Sequence, residues 1–270
     1  MKYITEPIEV IDGIPVFSKA DDYTDNYEQI SNDHVSSMDS GHGNPFMSEG
    51  YWEAIEKDTV SLMHKYSKPG DRILDVGVGL GRLLDYLPNT YEKHGTDISF
   101  HYLKRAKAKG IDVVYAKIED MPYPPGYFDL IVCTDVLEHV FNLHLCIEKI
   151  LHVLKPGGHL LVRVPYREDL GYYLKSKIPY KYVHLRNFDE HNMELMFTKI
   201  FDCAMTEKKL SGVQITYTHL KYNFPLSKGL NFLFPHKYVS GPINRIGWLR
   251  SLVQVFFLPN EINVVVKKKN

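Results

Sequence analysis

Cysteine is scarce: the 270-residue chain has three, Cys133, Cys146 and Cys203. No two stand at the close spacing of a metal-binding pair, and scattered thiols suit a reducing compartment. Neither a disulfide frame nor a metal site is therefore expected, and a cytoplasmic location is. Long apolar runs are also missing; none reaches the roughly 20 residues of a membrane span. The opening residues, Met1-Lys2-Tyr3-Ile4-Thr5-Glu6-Pro7, do not read as a signal peptide. No sign of charge is in excess: the formal net charge is −1, which removes any global attraction to nucleic acid. There is no internal repeat and no low-complexity tract, and no feature points to an oligomeric state. Apolar and aromatic residues, by contrast, make up 44% and 13% of the chain. That suffices for a sizeable core, in one large domain or one domain with insertions.

The balanced total hides an asymmetry. Residues 1–60 carry thirteen Asp and Glu against three Lys, whereas residues 211–260 carry five Lys and Arg and no acid. An acidic arm packed near a basic lobe would explain this, as would two separately solvated faces.

Three regions follow from the pattern. Residues 1–49 lack sustained periodicity and read as an arm or cap, with a short helix from Tyr23 to Ile30 and a loop from Asp33 to Ser48. Residues 50–210 and 260–270 form the main domain. It opens with an amphipathic helix from Gly50 to Tyr66. Strands are then expected at Arg72–Val76, Tyr91–Thr96, Ile111–Ala116, Phe128–Cys133 and His159–Val164. Helices are expected at Leu80–Leu87, Ser99–Ala108 and Asn142–Leu154, with Pro156-Gly157-Gly158 as a turn. A helix at Asp189–Phe201, a strand at Cys203–Leu210 and a last strand at Glu261–Val266 complete it. Repeated strand–helix units imply right-handed crossovers, hence an α/β fold with a doubly wound, mostly parallel sheet. Ligands then bind beyond the carboxyl ends of the strands. Residues 211–259 form an aromatic, Gly- and Pro-containing insertion before the last strand.

The most specific stretch is Ile73-Leu74-Asp75-Val76-Gly77-Val78-Gly79-Leu80-Gly81-Arg82. An apolar strand runs into an acid, then three glycines at alternate positions, then a helix start. Such a turn bares its backbone to a ligand. The dinucleotide pattern G-x-G-x-x-G would need its third glycine at Arg82, so an adenosine cofactor other than a dinucleotide is favoured. A second acid, Asp97, closes the next strand. A carboxylate there can accept hydrogen bonds from ribose hydroxyls. Its alternative task, capping the following helix, already falls to Ser99.

With these motifs in order, the chain resembles the S-adenosylmethionine-dependent methyltransferases of class I, the Rossmann-like fold, and within them the small-molecule branch. The resemblance spans about residues 50–165. It includes Gly95-Thr96-Asp97-Ile98, Glu119-Asp120-Met121-Pro122-Tyr123, Phe128 to Val140 and Leu154-Lys155-Pro156-Gly157-Gly158 besides the glycine loop. It implies a seven-stranded sheet with an antiparallel last strand and S-adenosyl-L-methionine as cofactor. Asp75 and the glycine loop (Gly77, Gly79 and Gly81) would line its methionine and ribose end. Asp97 would hold the ribose, and Ile98 one adenine face. The Ile118 backbone would meet the ring, and the Cys133 carbonyl the methionine amino group. Where the family often has Asp, this chain has Lys117, which cannot accept from the adenine amino group; Glu119 or Asp120 would stand in.

The implied reaction is transfer of a methyl group to a small-molecule or glycan-type acceptor, most readily at oxygen. His139 is the first candidate for a base, with Glu138 beside it and His184 in a covering loop; each could equally be structural, as could His191. Tyr23, Tyr27 and Tyr51-Trp52 would close over the cofactor or pack in the core. The insertion, with Lys228, Lys237, Arg245 and Arg250 among its apolar residues, reads as a substrate lid or as an ordinary helical subdomain. As a lid it would suit a lipid-linked acceptor and weak contact with a membrane surface. An NAD-dependent oxidoreductase and a non-catalytic cofactor-binding or assembly protein are the alternatives from other classes. Nucleic acid is not an expected substrate, because Thr134-Asp135-Val136-Leu137 stands where an Asn/Asp-Pro-Pro-aromatic motif would be.

Overall fold

The computed structural model describes residues 2–213, Ile246 and residues 259–269. Nearly all of the insertion, with its expected lid and membrane contact, lies outside the described residues.

Among the described residues the sheet has nine strands, not seven. In chain order they are β1 (Glu9–Ile11), β2 (Ile14–Val16), β3 (Arg72–Val76), β4 (Glu92–Asp97) and β5 (Asp112–Tyr115). They continue with β6 (Phe128–Thr134), β7 (Leu154–Pro165), β8 (Ala204–Val213) and β9 (Pro259–Lys267). Their spatial order is β1-β2-β5-β4-β3-β6-β7-β9-β8. The extra pair is a tight hairpin turning at Asp12 and Gly13, both in the left-handed region. Through β2 it extends the edge beyond β5. The five strands from β5 to β7 run parallel, and β6, between β3 and β7, is apolar along most of its length, as a strand covered on both faces should be. The last strand, β9, is antiparallel to both neighbours.

Among the described residues, seven α-helices accompany the sheet: α1 (Asp22–Asp39), α2 (Glu49–Tyr66), α3 (Arg82–Asp85), α4 (Phe100–Ala108), α5 (Leu143–Val153), α6 (Gly171–Lys175) and α7 (Glu190–Leu195). The first is much longer than Tyr23–Ile30, and the expected loop shrinks accordingly. Its buried residues are polar, which apolar periodicity overlooks. Ser31 pairs with Ser99, and His34 Nδ1 lies 2.9 Å from the Tyr102 hydroxyl on α4. Asp21 caps α1, accepting from the Tyr23 and Thr24 amides, while Thr24 Oγ1 accepts from the Asp21 amide. The helix after the glycine loop is cut to one turn. Pro156-Gly157-Gly158 is not a turn but the bulged start of β7, where the Gly157 amide bonds to the Lys268 carbonyl at 3.0 Å. Two apolar layers cover the sheet faces, one including residues of α5 and α7, the other residues of α2 and α4.

Candidate functional site

The carboxyl ends of β3 to β6 open on a cavity of about 860 Å³. This suits a small organic ligand, since such sites span roughly 300–1,000 Å³. At the end of β3, Asp75 is 2% exposed and its Oδ1 has no partner among the described residues. Burial, reinforced by the nearby Asp97 carboxylate, holds its pKa well above the carboxylate range. A buried acid left in this state wants a donor, and the cavity is where one can arrive.

The glycine loop follows. Gly77, Gly79 and Gly81 all adopt left-handed backbone. A Cβ at Gly77 would fall 2.3 Å from Val136, whereas at Gly79 it would meet nothing nearer than the Gly77 carbonyl at 4.0 Å. Gly79 therefore leaves a bare patch of cavity wall. Gly81 differs: a Cβ there would strike Ile111 and Ala106, so it lets α4 approach and does not line the cavity.

Asp97, at the end of β4, joins the loop to the next helix. Its Oδ2 accepts from the Gly79 amide at 2.9 Å, and its Oδ1 from Ile98 and Ser99 at 2.8 and 3.0 Å. The capping task expected of Ser99 alone is thus shared, although Ser99 Oγ does accept from the Tyr102 amide. Burial pushes Asp97 up to about 6 despite these three donors. Each carboxylate oxygen accepts two bonds readily, so Oδ2 keeps a free lone pair beside the cavity. Ile98, Ile118 and Glu119 also border the cavity. Lys117 is tied to Asp21, at the N-terminus of α1. The Cys133 side chain is buried within β6 and is absent from the wall, where Thr134 is present.

Residues before β3 close the site. Tyr23 and Tyr27 stand on the wall in ring contact at 4.9 Å, and Trp52 lies under the Arg82 guanidinium at 3.8 Å. Tyr51, grouped with them from sequence, points elsewhere and donates to Glu261 at 3.0 Å. Arg82 grips Glu56 through both carboxylate oxygens at 2.8–3.0 Å, clamping α2 onto the glycine loop.

The far end of the cavity holds His139 and His184, with rings 4.5 Å apart. Burial and the neighbouring His184 push His139 down to about 3, so it is neutral. His184 Nδ1 lies 2.5 Å from Glu168, which also accepts from the Tyr173 hydroxyl at 2.8 Å. Glu138 is fully buried just behind the wall. Among the described residues neither of its oxygens has a partner, and burial together with Asp135 and other acids raises its pKa well above the carboxylate range. His191 is exposed at the start of α7, away from the cavity. Arg163, Glu168 and Tyr173 were not singled out from sequence. A charged residue inside the apolar fifth strand was a signal for Arg163, which is 2% exposed and paired with Asp135. Nothing local marked the other two.

Comparison with known proteins bears on this crevice. Residues 74–162, from β3 into β7, match the family model of the methyltransferase domain. Residues 74–162 are thus a methyltransferase domain of the S-adenosylmethionine-dependent type, in a chain with the class I fold. It is 28% identical to an uncharacterised protein of Methanocaldococcus jannaschii over 68% of this chain and 83% of that one. It is 32% identical to a ubiquinone biosynthesis O-methyltransferase of Xylella fastidiosa, over 54% of this chain and 63% of the relative. The chain thus spans less than two thirds of that named relative. Relatives named for transfer to carbon and to nitrogen match as well. In fold it is similar to the protein bound by the Haloferax volcanii Trm112 methyltransferase activator, with a TM-score of 0.64 at 15% identity, covering 92% of this chain and 98% of that one. Among the described residues, no helix is long and apolar enough to cross a membrane.

Proposed function

We propose that this chain transfers the methyl group of S-adenosylmethionine to an oxygen of a small-molecule or glycan-type acceptor, in the cytoplasm. The observation that carries the reading is the pair of acids at the ends of adjacent strands: Asp75 with an unpartnered oxygen and Asp97 with a spare lone pair, either side of a bare glycine. These residues fit the cofactor. Asp97 would take the ribose hydroxyls and Asp75 a donor of the methionine end, with Ile98 and Ile118 against the adenine. Gly77 and Gly79 would admit the cofactor close to the backbone, and Cys133 would face it only through its main chain.

When bound, the cofactor supplies a sulfonium methyl that an in-line acceptor oxygen can take, releasing a neutral thioether. The chain's own part is alignment and exclusion of water. Tyr23 and Tyr27 cover the site, and Lys117 fastened to Asp21 keeps that cover in place. At the acceptor end, His139 and His184 are the groups that would hold an acceptor hydroxyl or draw off its proton. Glu138 acts from behind the wall.

Calorimetric titration tests the reading against the oxidoreductase alternative. S-adenosylmethionine and S-adenosylhomocysteine should bind with micromolar affinity and NAD should not. Tight binding of NAD with none of the sulfur nucleosides would overturn it.

A further inference from the structure

Glu138, His139 and His184 were picked from sequence as separate candidates for proton transfer, with no metal. The fold brings them together: one ligand atom from each lies within 4.8 Å of the others. Three features make this more than a chance cluster. Glu138 is wholly buried, and among the described residues no Lys or Arg bonds to either of its oxygens. The nearby cations are engaged elsewhere, Arg163 with Asp135 and Arg186 with the carbonyls of Val140 and Phe141. A buried carboxylate without a cation or donor is costly, and the other acids around it worsen the cost.

The second feature is how the histidines are held. His184 is fixed through Nδ1 by Glu168, itself held by Tyr173, leaving Nε2 for a ligand. A carboxylate behind an imidazole is the usual outer support of a metal-bound histidine. His139 Nδ1 is buried and has no partner among the described residues. The third is the donor set: two imidazoles and one carboxylate, with both histidines on the cavity wall. That set suits a divalent transition-type ion and leaves coordination positions open.

We propose that Glu138, His139 and His184 bind a divalent cation of the manganese, iron or zinc type, and that this cation holds the acceptor oxygen for methylation. The inference rests on the methyl-transfer reading and specifies its acceptor end. An acceptor hydroxyl on the cation loses its proton more readily, to water as the acceptor enters and before the site closes. The oxygen's electron pair then forms the O–CH3 bond while the CH3–S bond breaks, its pair staying on sulfur. The cation changes neither charge nor oxidation state. With the cation bound the histidines serve as its ligands, so the cation takes over from them the holding and activation of the hydroxyl, and the acceptor must offer a hydroxyl that can reach the ion.

The test strips the full chain with EDTA and titrates it with Mn²⁺, following free Mn²⁺ by electron paramagnetic resonance. One ion should bind per chain, with affinity about tenfold or more weaker in Glu138→Gln and in His184→Ala. His144→Ala, at an exposed histidine paired with Glu148, should match the parent chain. His184 lies on the wall and not in the core, so His184→Ala gives the answer even if Glu138→Gln does not fold. Absence of stoichiometric Mn²⁺ binding, or equal affinity in parent and variants, overturns the proposal. S-adenosylmethionine titrated into the stripped chain reads the cofactor crevice separately. A failed cation site leaves that binding intact, whereas failure of the methyl-transfer reading removes it.

Discussion

Replacing Asp97 by Asn separates two tasks that one carboxylate performs. As a structural group it accepts three backbone N–H bonds. As a ligand group it would accept from ribose. Burial moves its pKa from 3.8 to about 6, so ionised Asp97 costs the folded chain about 3 kcal/mol. The sign is fixed by linkage. Between pH about 4 and 6 the folded chain keeps a proton that the unfolded chain has released, so stability falls as pH rises through that window. Asn carries no charge and abolishes that fall. Its amide nitrogen, set where Oδ2 was, cannot accept from Gly79, and an orphaned amide costs about 1–3 kcal/mol. The two effects offset, and the melting temperature of the variant at pH 7 should stay within a few degrees of the parent. Affinity behaves differently. A hydrogen bond to a charged acceptor contributes about 1.5–3 kcal/mol, so S-adenosylmethionine should bind about 10- to 150-fold more weakly. Calorimetry and thermal melts read the two quantities independently. Unchanged affinity with a melting temperature lowered by 8 °C or more (about 2–4 kcal/mol) would show a purely structural residue and refute the reasoning.

Three further outcomes follow from the same geometry. Gly77→Ala combines a φ of +74° with a contact of 2.3 Å to Val136. It should cost about 3 kcal/mol, lowering the melting temperature by about 6–12 °C. Gly79→Ala has only the backbone strain and should cost about 1 kcal/mol while still weakening cofactor binding; equal melting temperatures for the two would contradict the account. Arg82→Met leaves Glu56, 2% exposed, without its cation. About 3 kcal/mol should be lost in denaturant titration, and adding Glu56→Leu should restore most of it. Glu261, buried under α2, is pushed up to about 8. A raised acid destabilises as pH rises, so the decline in stability between pH about 5 and 8 should be shallower in Glu261→Gln; identical pH profiles would count against it.

Among the sheet's central strands, β6 was readable because a parallel strand buried on both faces leaves an apolar run, and β3 and β4 because each leads through an acid into a turn. Arg72–Val76 was placed to the residue. The crevice was readable because left-handed turns demand glycine and an acid lies at the end of each of the two strands beside them. The hairpin at residues 9–16 was missed because three-residue strands exist only through their neighbours. The length of α1 was missed because its inward face is built of Ser, Asn and His that find polar partners on other segments. At the acceptor end, Glu138 and His139 are adjacent in the chain and could be named. Their meeting with His184, and the support from Glu168 and Tyr173, arises from tertiary packing that no spacing records. Gly81 was assigned to the ligand, yet its missing side chain serves the approach of α4.

The position of β9 has a consequence for how the protein is made. It is the last strand described, but it sits between β7 and β8 in the interior of the sheet. While a ribosome is still synthesising the chain, β8 has no edge to join until residues 259–267 emerge, and β7 stays open on that side. The strands that carry the glycine loop and Asp97 need no such wait, since β3, β4, β5 and β6 pair among themselves. A nascent chain can therefore form its cofactor crevice early while exposing an unpaired sheet edge. Interrupted synthesis would yield a species prone to aggregate through β7, not merely an inactive one.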